Sequence, residues 1–260
     1  MERKLIAFDL DGTLLDDRKQ PLPSTVVALD QLRKAGHEVT IATGRNRRLA
    51  KPIIDQLSFE NAVLCNGSVA FANHQMFYER TLNEDAFNRC SDDLIARNID
   101  VAVIGLDDTK RITTFHEHQM SEAMESFGSF VPPFDAKFYQ TNSIYQGLAF
   151  YDSQESFDSS LYDAFDFVRW HPECVDIIPK NGSKAVTLLK LANQLGIARE
   201  NVIAFGDGMN DREMLKEVGV GIAMGNAAEE VKRQADMVTA SNEQDGILKA
   251  LVKLNLCPPL

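Results

Sequence analysis

Long apolar runs are missing from this sequence, and with them any segment able to span a bilayer. Basic charge is in deficit. Lysine and arginine number 27 against 38 aspartates and glutamates, a formal net charge of −11, and no basic stripe offsets it. That balance argues against a nucleic-acid partner or an anionic membrane surface. It leaves room for a small anionic substrate, because local cations in a site override the global field. Cysteine is sparse. Cys65, Cys90, Cys174 and Cys257 lie far apart without metal-ligand spacing, so four free thiols in a reducing compartment are expected. Met1-Glu2-Arg3-Lys4 runs straight into an apolar stretch, leaving no room for a signal peptide. A cytoplasmic protein is expected, with a monomer as the default because nothing reads as an obligate interface. Internal repeats and low-complexity segments are also lacking.

What is present is ordinary globular material: 260 residues, 44% hydrophobic and 25% charged, enough for one large domain or two modest ones. The first part alternates strand and helix. Leu5–Phe8, Val39–Ala42 and Ala62–Cys65 read as strands. Between them, Ser24 serves as N-cap of a helix through Ala35, and Arg48–Leu57 forms a second helix bent near Pro52. A short hairpin through Val69–Phe71 and Met76–Tyr78 follows. The middle part reads as helix, strand, strand, helix, then strand, helix, strand, strand. Its strands are Val101–Leu106, Arg111–Phe115, Ile144–Tyr151, Phe167–Trp170 and Val175–Ile178. The last part returns to alternation, with a helix over Ser183–Leu195 and strands at Val202–Phe205 and Val220–Ala223. The expected fold is α/β: a Rossmann-like parallel sheet with helices on both faces, carrying an inserted α+β module. Residues 1–82 and 182–260 make the core, and 83–181 the insertion.

Chemistry-bearing residues collect where strands end or helices begin. Asp9-Leu10-Asp11-Gly12-Thr13 follows the first strand directly. Alternation along a strand puts Asp9 and Asp11 on one face, aimed at the crevice where open α/β sheets bind ligands. Two carboxylates so close repel unless a cation or a shared proton lies between them. Thr43-Gly44-Arg45, after the second strand, makes a natural anion cradle. Lys184 sits in the first turn of a helix, the end where lysine is unfavourable. Gly206-Asp207-Gly208-Met209-Asn210-Asp211 places further carboxylates at another strand end. Together these suit phosphoryl transfer. Hard oxygen ligands such as Asp9, Asp207 and a backbone carbonyl favour Mg²⁺. One carboxylate can act as nucleophile, a second as acid and base, and Lys184 with Thr43 can offset phosphoryl charge. By contrast, Gly219-Val220-Gly221 with Gly225 fails the dinucleotide-loop spacing. His116 and His118, two apart, share no helix face.

These residues resemble the haloacid dehalogenase superfamily of phosphohydrolases. All four of its motifs occur in order: D-x-D-G-T at Asp9–Thr13, the threonine at Thr43, the lysine at Lys184 and G-D-x-x-N-D at Gly206–Asp211. Thr-Gly-Arg at the second motif and G-D-G-M-N-D at the fourth are most similar to the Cof-type branch. The resemblance implies that Asp9 is the nucleophile and a Mg²⁺ ligand. It implies that Asp11 is the acid/base and binds the metal through its backbone carbonyl. Asp207 is the third protein ligand, and Asp211 supports the metal through water. Thr43, Gly44, Lys184 and Asn210, with the backbone of Leu10, hold the phosphate, and Arg45 is structural or cap-facing. Ala185 departs from the glycine that many relatives place after the lysine; alanine suits a helix better. One loop and one helix fill the chain between the first two motifs, so the insertion follows the second motif. This is the C2-cap arrangement, in which the cap selects the substrate. The resemblance implies a Mg²⁺-dependent phosphatase of small phosphorylated metabolites, such as sugar phosphates or a phosphorylated cofactor. The alternatives are a phosphotransferase to a hydroxyl acceptor and a non-catalytic phospho-metabolite binder.

Overall fold

A computed structural model describes residues 2–126, 129–152 and 157–259. In chain order the elements begin with β1 (Leu5–Phe8), α1 (Pro23–Lys34), β2 (Glu38–Ala42), α2 (Arg47–Gln56), β3 (Asn61–Leu64), β4 (Val69–Ala72) and β5 (Gln75–Glu79). Next come α3 (Glu84–Ala96), β6 (Asp100–Ile104), β7 (Thr109–Arg111), α4 (Glu117–Ser126), α5 (Phe138–Thr141), β8 (Gln146–Phe150), β9 (Phe165–His171) and β10 (Cys174–Pro179). The chain closes with α6 (Lys184–Gln194), β11 (Val202–Gly206), α7 (Arg212–Glu217), β12 (Val220–Ala223), α8 (Glu229–Lys232), β13 (Met237–Val238) and α9 (Gly246–Lys253). Among the described residues no helix is long and apolar enough to cross a membrane; all four cysteines are buried, and Cys90, Cys174 and Cys257 are free thiols.

The chain divides into two compact units. The first comprises Met1–Gly44, Ala50–Tyr78 and Ser183–Leu260, the second Arg45–Leu49 and Glu79–Gly182. The first holds a sheet of order β13-β12-β11-β1-β2-β3-β4-β5. It is parallel from β13 to β3, and β3 meets β4 antiparallel. Its central strands are apolar throughout and fully buried, as parallel strands covered on both faces require. Leu5 and Ala7 join Val202 and Ala204 in one core with Leu188 and Leu191 of α6 and Leu215 of α7. Phe8 stacks on Phe205, ring centroids 5.1 Å apart. The helices fall into two packed groups, α6 with α7 and α1 with α9. The order β11-β1-β2-β3 sets the carboxyl ends of four strands side by side, at the point where the chain reverses direction across the sheet.

The second unit is an antiparallel sheet of order β7-β6-β8-β10-β9. Phe87, Cys90 and Leu94 of α3 pack onto Val101, Ala149, Val175 and Ile177. Asn83 caps α3, its side chain accepting from Ala86 N at 2.9 Å, and Glu84 and Asp85 in the first turn suit the helix dipole. The aromatic residues Phe157, Tyr162, Phe165 and Phe167 pack on one another.

Four sequence expectations are corrected. Ser24 is not an N-cap: the helix starts at Pro23, whose missing N–H suits its first turn, and Ser24 Oγ instead donates to Asp245 Oδ1 at 2.6 Å. The strand expected over Arg111–Phe115 occupies Thr109–Arg111. Beyond it one backbone bond remains, from Ile112 N to Val101 O at 2.9 Å, and then the Asp100 carboxylate takes over, accepting from Thr113 Oγ1 at 2.6 Å and from the Phe115 N–H at 2.9 Å. The helix expected between Tyr151 and Phe167 is, among the described residues, a single 3₁₀ turn at Ser159–Leu161; residues 153–156 lie outside them. Arg45–Leu49, expected in the core, belong to the second unit. There Asn46 Nδ2 donates to Gly105 O at 3.0 Å, and Arg47 N to Leu106 O at 3.0 Å.

Candidate active site

β1 ends at Phe8, so Asp9 and Asp11 lie in the turn beyond it rather than on a strand face. Asp9 is still tied to the sheet, its N–H donating to Phe205 O at 3.0 Å. It lies next to the start of α6. Lys184, 1% exposed, donates from Nζ to Asp9 Oδ1 at 2.5 Å and to Asp211 Oδ1 at 2.8 Å. A lysine in a first helical turn is thus explained by two buried carboxylates that need a cation. Asp211, fully buried, uses its other oxygen to accept from Asp207 N at 3.0 Å and Gly208 N at 2.9 Å. It therefore shapes the loop after β11. Asp207 Oδ1 accepts from Thr13 Oγ1 at 2.6 Å, linking the first and fourth motifs.

Asp9, Asp207 and Asp211 each offer a carboxylate oxygen within 4.8 Å of the others. Burial pushes the Asp9 carboxyl well above its usual range; Lys184 opposes this, while Asp211 and Asp207 add to it. Asp207 is pushed up to about 6, first by burial, against the Thr13 hydrogen bond. Burial works to lower Lys184, but Asp211 and Asp9 more than offset it and hold the ammonium above its ordinary value. Both members of the Asp9–Lys184 pair shift upward, Asp9 chiefly because it is buried and Lys184 because two carboxylates, Asp211 and Asp9, contact its ammonium. Hard oxygen donors with excess negative charge fit a divalent cation.

Thr43 and Gly44 follow β2. Thr43 is buried, its N–H donating to Val63 O at 2.9 Å and its carbonyl accepting from Asn66 N at 3.1 Å. Asn210 Nδ2 donates to Asn66 Oδ1 at 2.9 Å, so the second and fourth motifs meet through Asn66. Leu10 is buried in the Asp9 turn, its carbonyl accepting from Leu15 N at 2.9 Å. Asp11 stands apart from the carboxylate cluster, with Lys19 Nζ at 2.9 Å from its Oδ1. Arg45 lies in the second unit, where it donates to Leu49 O at 3.4 Å.

Three residues at the site escaped the sequence reading. Asn66, at φ 51°, is the first; the signal available is an Asn-Gly pair ending a strand beside the Thr43 strand. Asn226 donates to Gly12 O at 2.8 Å and lies 3.4 Å from Asp207 Oδ2. Lys19 is the third. Gly67 carries a further constraint. At φ +94° a Cβ would run into the Ser183 carbonyl, and Thr187 Oγ1 donates to Gly67 O at 2.6 Å. Gly67 thus lets α6 bring Lys184 in. Gly67→Ala is expected to destabilise the protein by about 2–4 kcal/mol, from the positive φ and the clash together, read as a lowered thermal midpoint.

The geometry agrees with what the chain is similar to. The profile of haloacid dehalogenase-like hydrolases matches residues 6–251. The YkrA protein of Bacillus subtilis (strain 168) is 36% identical over 98% of this chain and 99% of its own. YitU of the same organism, a 5-amino-6-(5-phospho-D-ribitylamino)uracil phosphatase, is 32% identical over 96% of this chain and 98% of its own. A solved structure from Geobacillus kaustophilus HTA426 superposes with a TM-score of 0.90 at 36% identity, covering 98% of this chain and 100% of that one. The chain belongs to the haloacid dehalogenase-like hydrolases.

Proposed function

We propose that this phosphatase removes phosphate from small phosphorylated metabolites through an aspartyl-phosphate, with Mg²⁺ at the carboxylate cluster. The observation that carries the reading is the buried Lys184 ammonium fixed between Asp9 and Asp211, with Asp207 beside them. Asp9 attacks phosphorus while the leaving oxygen takes the proton of Asp11. Asp11, now ionised, takes a proton from water, and that water's oxygen displaces Asp9 from phosphorus. Lys184 fixes the rotation of the Asp9 carboxylate and offsets charge on the phosphoryl oxygens. Thr43, Gly44 and Asn210, with the backbone of Leu10, hold those oxygens. When bound at Asp9, Asp207 and the Asp11 carbonyl, with Asp211 in support, Mg²⁺ would offset the charge shared by carboxylates and phosphate. The substrate class is supported by YitU, whose name gives a phosphorylated ribityl compound.

The test is hydrolysis of p-nitrophenyl phosphate with Mg²⁺ and with EDTA, followed by a panel of phosphorylated metabolites. Turnover that requires the cation supports the reading, and no turnover on any of them sinks it. Phosphate passed to an added alcohol would show a phosphotransferase. A pH dependence follows as well. Asp207, raised to about 6, must be ionised to hold the cation, so proton competition sets in below that value. The rise in melting temperature produced by Mg²⁺ is expected to be full near pH 7.5 and to shrink as pH falls through 6.

A further inference from the structure

We infer that Lys19 is the positioning residue of Asp11, an inference that rests on the acid/base role proposed above. Lys19 Nζ lies 2.9 Å from Asp11 Oδ1. The two side chains are 34% and 26% exposed, so the pair contributes little to stability and calls for another explanation.

The chain goes to some length to place this ammonium. Lys19 has φ +62°, a left-handed conformation that glycine or asparagine adopts at less strain. It sits at the tip of a small hairpin closed by bridges from Leu15 to Asp11 and to Pro21. Asp16 staples the tip. Its carboxylate accepts from Arg18 N at 2.9 Å and Gln20 N at 2.8 Å, and its carbonyl accepts from Lys19 N at 2.9 Å. The segment before α9 anchors the hairpin, Asn242 Nδ2 donating to Leu15 O at 3.1 Å and Glu243 Oε1 accepting from Asp17 N at 2.7 Å. Lys19 is therefore delivered by a braced element.

Asp9 and Asp11 sit two residues apart and repel each other, and Asp9 already has Lys184. An acid must lie within hydrogen-bond reach of the oxygen it protonates. Lys19 gives Asp11 its own cation and holds that carboxyl outside the Asp9–Asp207–Asp211 cluster. It neither donates nor receives the proton: that passes from Asp11 to the leaving oxygen, and in the second step from water to Asp11.

A positioned acid matters more the worse the leaving group. Phenyl phosphate and p-nitrophenyl phosphate have nearly the same shape, but only phenolate needs much help to leave. In Lys19→Met, whose side chain pays the same backbone strain, kcat/KM for phenyl phosphate is expected to fall about 10–100-fold. For p-nitrophenyl phosphate it should fall less than about threefold. Asp11→Asn should show the same asymmetry, and Lys19→Arg should restore the phenyl phosphate rate. Equal losses on both substrates would make Lys19 a general attractor of phosphate and overturn the inference, as would no loss on either. Should Lys19→Met fail to fold in a thermal melt, Lys19→Gln carries the same comparison. If hydrolysis proceeds normally in Asp9→Asn, the proposed function fails and takes this inference with it. If Asp9 is required but Lys19→Met leaves the ratio unchanged, the inference alone fails.

Discussion

Asp9→Asn is expected to lower p-nitrophenyl phosphate hydrolysis by at least about 10³-fold and, in EDTA, to raise the melting temperature. The two effects have one cause. Asp9, Asp207 and Asp211 bring carboxylate oxygens within 4.8 Å of one another with a single buried ammonium between two of them, and burial already drives the Asp9 carboxyl upward. Asparagine keeps the shape and leaves an amide oxygen to accept from Lys184, but it removes one of three like charges. A gain of about 1 kcal/mol, or roughly 2–4 °C, is the scale such relief reaches in a chain of this size. Added Mg²⁺ should then reverse the order, because a cation stabilises whichever form binds it more tightly and the variant has lost a ligand. Activity and thermal unfolding, each measured with and without Mg²⁺, check both halves. Retained activity would remove Asp9 as the nucleophile. Lost activity together with a lower melting temperature would mean that packing, not chemistry, had failed.

The residues that reached this site by local rules were legible in the sequence. β1 is an unbroken apolar run with its carboxylates immediately behind it, and β11 repeats the pattern ahead of Gly206–Asp211. The residues that depend on pairing between distant strands were not. Asn66 looks like an ordinary hairpin turn until β3 is placed beside β2, and only then does it lie between Gly44 and Asn210. Asn226 and Lys19 arrive through contacts with Gly12 and Asp11 that no periodicity announces. Lys184 is expected at the phosphate from its place in a first helical turn; its bridge between Asp9 and Asp211 is a further duty, visible only once α6 is packed. Local misreadings arose where side chains took over backbone duties. Asp100 ended β7 early by capping the loop that follows, and Pro23 displaced Ser24 from the cap.

Lys184→Met should be the most disruptive single change to stability. It leaves Asp9 and Asp211 buried without the ammonium both contact at 2.5 and 2.8 Å. Removing one partner of a buried ion pair typically costs about 3–5 kcal/mol, because the remaining charge is stranded. The sign with pH follows from Asp9. Its folded-state carboxyl is already raised by burial, and Lys184 is the first influence holding it down. A group raised in the folded state favours folding below its unfolded value and loses that contribution as pH rises through its folded value. Without Lys184 the Asp9 carboxyl rises further. The deficit of the variant against wild type should therefore grow as pH rises and shrink on acidification, as read by denaturant melts in EDTA over a pH series. A double-mutant cycle sharpens the argument. Asp9→Asn in the Lys184→Met background removes one stranded charge, so it should raise stability there by more than it does in the wild type. An equal effect of Asp9→Asn in both backgrounds would show that the lysine stem, not its charge, is what α6 contributes to this corner of the sheet.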